Sequence, residues 1–116
     1  MAKSDENLIS ELRRGTLVLS VLSQLTEPQY GYSLKEQLAA YQIEIDQGTL
    51  YPLLRRLESQ GLLDSEWVTT GSRPRRYYRL NAEGQAVLDM LVREWQDMVA
   101  AINALLESEE NTNGAY

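Results

Sequence analysis

Arginines are the residues best placed to do chemistry in this chain, and their chemistry is the recognition of anions. Arg73, Arg75 and Arg76 fall within four positions, in Gly71-Ser-Arg-Pro-Arg-Arg76, where the glycine and the proline mark a turn. Arg55 and Arg56 lie upstream, in the segment 47–60. A guanidinium is a planar, permanently charged fork that fits phosphate and the guanine edge. A turn lifts such groups clear of the body, where they supply the salt-sensitive, sequence-independent share of affinity for a polyanion. A solubilising loop would have the same composition.

Other chemistries are excluded at the outset. The 116 residues contain no Cys and no His. That removes thiolate nucleophiles, disulfides, soft-metal sites and imidazole acid–base catalysis together. Nor is there a paired carboxylate, a Ser–Lys pair or a glycine-rich phosphate loop in a supporting context. The expectation is a protein that is not an enzyme, with no cofactor and no metal. No apolar run approaches the roughly 20 residues needed to span a bilayer. The N-terminus lacks a signal peptide's apolar stretch, so the expected location is cytoplasmic.

The formal net charge of -6 argues against a nucleic-acid partner until its distribution is considered. From Gln47 to Asn81 six bases face three acids, a local excess of +3; from Ala82 onward one base faces seven acids. The middle is basic and the C-terminal third acidic, an asymmetry that hints at function. At physiological salt, screening over about 8 Å lets the local charge decide a contact.

Hydrophobic periodicity predicts the elements that must hold these arginines. Apolar residues recur by threes and fours from Asn7 to about Thr26, which predicts one largely buried helix. Glu27-Pro28-Gln29 breaks it. Ser33 to about Ala40 reads as a short second helix, and Gln42 to Ile45 as an extended link. A third helix starts between Asp46 and Thr49 and runs to Gln60, where Gly61 stops it. The sequence leaves that start open, because Asp46 and Thr49 are both good N-caps. Leu62–Thr69 and Arg75–Leu80 read as two strands of a hairpin whose tip carries the arginine cluster. Asn81 caps a last helix, from about Ala82 to Leu106.

On the third helix Leu50, Leu53, Leu54 and Leu57 share one face, which docks on the core. The opposite face carries Gly48, Pro52, Arg55 and Ser59, flanked by Thr49, Tyr51 and Arg56. It is small near its N-terminus and cationic further on. A helix in a major groove needs close backbone approach first and guanidinium groups next. A solvated amphipathic helix that happens to carry two arginines would present the same face.

On the last helix Leu88, Leu91, Trp95, Met98, Ile102 and Leu105 form an apolar seam. About 25 residues at 1.5 Å make roughly 37 Å, longer than so small a domain covers. A seam without an intrachain partner implies a second copy; the alternative is a helix folded back over its own core. Trp95 and Met98, mid-seam, either fill a dimer core or line a cavity for a planar ligand.

The order helix, helix, helix, hairpin, long helix fits a mainly α fold: a winged helix-turn-helix with a two-stranded β-hairpin wing and a long C-terminal dimerisation helix. Residues 1–81 form the winged region, 82–106 the dimerisation helix and 107–116 a disordered tail. In this frame the sequence resembles the short, single-domain PadR-family transcriptional regulators. The resemblance rests on Gly48-Thr-Leu-Tyr-Pro-Leu-Leu-Arg-Arg-Leu-Glu-Ser-Gln-Gly-Leu-Leu63, on Tyr30-Gly-Tyr-Ser-Leu34, on Arg75-Arg-Tyr-Tyr-Arg-Leu80 and on Asn81-Ala-Glu-Gly84. It implies a homodimeric, winged-helix protein of bacterial type that binds double-stranded DNA, usually as a repressor. Thr49, Tyr51, Pro52 and Arg55 would enter the major groove. Tyr32 and Lys35 would approach the backbone, with Arg73, Arg75 and Arg76 on its flank. Some members of the family bind planar aromatic effectors between protomers, near a tryptophan that Trp95 matches, and others respond to phenolic acids. The rival expectation is the same fold used as a protein-interaction module.

Overall fold

A computed structural model gives the fold of residues 2–115, with side chains described for residues 2–108. The elements are α1 (Lys3–Arg14), α2 (Leu17–Ser23), β1 (Gln29–Tyr30), α3 (Gly31–Ala39), α4 (Gln47–Ser59), β2 (Leu63–Val68), β3 (Arg75–Leu80) and α5 (Ala82–Ala115). The strands form one antiparallel sheet in the order β1-β3-β2.

The long first helix expected from periodicity is two helices. The Thr16 hydroxyl donates to the Arg13 carbonyl at 2.8 Å, and α1 ends there beside Gly15. Only the second half is buried: Val21, Leu22 and Leu25 are fully enclosed, whereas α1 has no buried residue and leaves Leu8, Ile9 and Leu12 exposed. Periodicity reports which residues share a face, not what covers it.

Strand β1 has no signature in the sequence. Two residues carry no alternation, and Pro28 marks the segment only as a break. Gln29 and Tyr30 pair with Tyr78 and Tyr77 of β3, so the wing is anchored to the body on its inner side.

The start of α4 is decided by Asp46. Its carboxylate accepts a hydrogen bond from the Thr49 amide at 2.7 Å, satisfying one of the orphan donors of the first turn. Pro52 therefore lies in the second turn. Having no N–H, it leaves the Gly48 carbonyl without its helical donor, on a face that is exposed to solvent. Leu50, Leu53, Leu54 and Leu57 are all buried, as their spacing predicts. Each removes a side chain from water worth roughly 1.5–3 kcal/mol. The helix ends in a Schellman turn: Gly61 takes φ +82°, its amide bonds Glu58 O at 2.9 Å, and Leu62 N bonds Leu57 O at 3.0 Å.

The long helix starts where expected, with Asn81 Oδ1 accepting from Gly84 N at 2.9 Å. It does not stop at Leu106; the backbone stays helical to Ala115. The side chains of 109–116, most of the expected tail, lie outside the described residues. Leu88 is buried in the chain's own core, with Val87, Leu91 and Val92 packed against it. From Trp95 to Leu106 the apolar residues are exposed. The seam thus divides, its first turns folding back on the body and the rest standing free.

Candidate nucleic-acid interface

Helix α4 presents a solvent-facing strip of Gln47, Gly48, Thr49, Pro52, Arg55, Arg56 and Ser59, with Tyr51 half-buried at its edge. The four buried leucines fix this orientation, since the face opposite a docked stripe must meet solvent.

One flank of the strip faces the wing. Gln47, Tyr51 and Arg55 line an open groove of about 630 Å³ together with Tyr30, Tyr32, Trp67, Arg73, Pro74, Arg75 and Arg76. The other flank faces the start of α2. There Gly48, Thr49, Pro52 and Arg56 share a second groove, of about 560 Å³, with Arg14. The fold therefore brings Tyr32, Tyr51, Arg55, Arg73, Arg75 and Arg76 together on one side of α4, and Gly48, Thr49, Pro52 and Arg56 on the other. Lys35 lines neither groove. Trp95 and Met98 are on α5, also outside both, at 43% and 54% exposure.

Sequence reasoning misses several lining residues. Gln47 is hidden by the open helix start. Trp67 reads only as strand composition, yet it is 60% exposed on the groove wall. Arg14 carries no signal, because a charge window over 47–81 cannot see a residue brought in from α1.

The aromatic and cationic groups of the groove are interlocked. The Arg75 guanidinium sits 4.5 Å from the centroid of the Tyr30 ring, and Tyr30 meets Tyr77 edge-on at 5.3 Å. Cation–π stacking holds a guanidinium in place without neutralising its charge. Arg76 pairs with Glu58 across 2.8 Å. Burial pushes the Tyr78 phenol up, while the Arg76 and Arg55 charges pull it down and Glu58 pushes it up. The exposed Tyr32 phenol is raised by its hydrogen bond to Glu36. Both tyrosines are neutral donors at neutral pH.

Such a surface suits a duplex. A major groove about 12 Å wide admits a helix, and a basic tip beside it meets the backbone. Among the described residues no cluster of His, Cys, Asp or Glu is placed to hold a metal, and no helix is long and apolar enough to cross a membrane.

Comparison with known proteins agrees with this geometry. The PadR-like family of transcriptional regulators matches residues 18–90. A PadR-family transcriptional regulator from Eggerthella lenta DSM 2243 superposes with a TM-score of 0.83 at 52% identity, covering 91% of this chain and 98% of its own. A PadR-like regulator from Bacillus cereus superposes with a TM-score of 0.75 at 26% identity, over 84% of this chain and 97% of its own. The transcriptional regulator Rv3488 of Mycobacterium tuberculosis is 37% identical over 79 residues, 67% of this chain and 74% of that protein. With its winged helix, its arginine-lined groove and these relatives, the chain belongs to the PadR-like family of transcriptional regulators, a family of DNA-binding regulators and not of enzymes.

Proposed function

We propose that this chain is a cytoplasmic homodimeric repressor that reads an inverted-repeat operator. The observation that carries the reading is the shared groove, which Gln47, Tyr51 and Arg55 of α4 line together with the arginine tip of the wing. Helix α4 enters the major groove; Gly48, Thr49 and Pro52 allow close approach, and Tyr51, Arg55 and Arg56 reach base edges or phosphates. Arg73 and Arg75, with Tyr32 and Lys35, contact the backbone.

The dimer is supported by the exposed apolar side chains of α5, among them Trp95, Met98, Ile102 and Leu105, and by Leu8 and Leu12 of α1. Faces of that kind are rarely left to water. Two-fold pairing would set two α4 helices about one helical turn of DNA apart, or a near multiple. Trp95 and Met98, half-exposed mid-seam, suit a small planar aromatic effector held between protomers.

Anisotropy titration against the duplex upstream of the chain's own gene tests the reading. Retained affinity at about 0.15 M salt, poorly competed by random DNA, is expected. Equal affinity for random duplex would refute an operator. Absence of any duplex binding would leave the winged helix as a protein-interaction module.

A further inference from the structure

One end of the groove is braced by a closed triangle of polar contacts. Arg76 on β3 places Nη2 2.8 Å from Glu58 Oε1, and its Nε donates to Ser65 Oγ at 3.0 Å. The Ser65 hydroxyl donates in turn to Glu58 Oε2. Three elements meet here: Glu58 belongs to the last turn of α4, Ser65 to β2 and Arg76 to β3. The Trp67 and Tyr78 rings flank the guanidinium, their centroids 5.9 Å and 5.4 Å away.

We infer that Arg76 is a positioning residue: through Glu58 and Ser65 it sets the wing against helix α4, and it does not itself bind the duplex. The inference rests on the DNA-binding reading above. Three observations carry it. First, the Arg76 donors on this side are already directed at protein acceptors, and a guanidinium's donors are rigid in one plane. Its neighbour Arg75 is exposed, and its guanidinium lies over the Tyr30 ring. Adjacent arginines of one strand thus have different partners, as a period of two allows. Second, Glu58 stands one turn beyond Arg55. Unpaired, its carboxylate would draw the Arg55 guanidinium at i, i+3 and repel an approaching phosphate; pairing with Arg76 prevents both. Third, the two charged side chains keep only 35% and 26% of their exposure, so the pair is partly shielded from the screening that weakens surface ion pairs.

The test is the salt dependence of duplex affinity in E58Q, R76Q, the double variant and S65A, with R75A as reference. E58Q deletes a negative charge near a polyanion, so simple electrostatics requires it to bind more tightly. The brace requires the opposite: E58Q and R76Q each weaken binding by about tenfold, a coupling of about 1.4 kcal/mol. The double variant is then no weaker than the worse single one, and the slope of log affinity against log salt is unchanged. Affinity in E58Q equal to or above wild type, or a flattened slope in R76Q, overturns the inference and makes Arg76 a phosphate contact. Should R76Q fail to fold, E58Q and S65A decide. S65A removes one hydroxyl and leaves the ladder intact, and is expected to weaken binding several-fold at constant slope; wild-type affinity in either variant overturns the brace. A wild-type chain that binds no duplex overturns the functional reading and this one with it.

Discussion

Gly31 and Tyr51 stand so close that a side chain at position 31 requires the Tyr51 ring to move: a Cβ there would lie 1.8 Å from Tyr51 Cε1. The contact seats the first turn of α3 against the tyrosine ring of α4. It fixes Tyr51 at the edge of the groove, beside Arg55. G31A should therefore push the ring outward and cost roughly 1–3 kcal/mol, as overpacking does. Urea unfolding measures the loss. The double variant G31A/Y51L should recover much of the stability and not the DNA affinity; no recovery would mean that Gly31 matters for another reason.

Removing a wing guanidinium should act on all duplexes alike. R75A is expected to weaken operator and random DNA by similar factors. Its salt slope should fall by about 0.9 for each phosphate that Arg75 neutralises in the wild-type complex. Anisotropy at several salt concentrations provides both numbers, and an unchanged slope would mean that Arg75 does not touch the DNA backbone.

Leu88 and Ile102 lie on the same predicted seam but in opposite environments, 7% and 51% exposed. L88A should cost about 2–5 kcal/mol by leaving a cavity in the core. I102E should leave each chain folded and shift it from dimer to monomer, with duplex affinity falling because two half-sites are no longer read together. Light scattering coupled to size exclusion, alongside circular dichroism, separates the two effects. A wild-type chain monomeric at micromolar concentration would refute the dimer.

Tyr78 should give the fold an alkaline limit. Burial raises its phenol above the ordinary value near 10, and the nearby Arg76 charge offsets part of that. Above about pH 10 the unfolded chain releases the proton first, so it binds fewer protons than the native state. The stabilisation is complete below about pH 10 and is lost as pH rises through the raised value. Urea midpoints between about pH 8 and 11 should fall less steeply in Y78F than in wild type. Parallel curves would assign the alkaline loss to other groups.

The amino-acid order alone specifies the fold class, and the reasons are local. Leu50, Leu53, Leu54 and Leu57 can be buried together only on a helix, Gly61 can stop that helix, and Asn81 can start the next. It also determined most of the candidate interface, because the strip opposite a buried stripe and the tip of a hairpin are exposed by construction. Packing settles the rest, which concerns residues far apart in the chain. It split the first helix at Gly15 and Thr16, added a two-residue strand too short to carry a pattern, and brought Arg14 beside α4. It placed Leu88 inside and Ile102 outside, though both repeat with the same period. It also separated Arg76, held by Glu58 and Ser65, from Arg75, which is exposed over Tyr30. Periodicity and composition describe what a residue could face. Which partner it meets depends on packing between distant segments, and that packing forms only when the whole core closes.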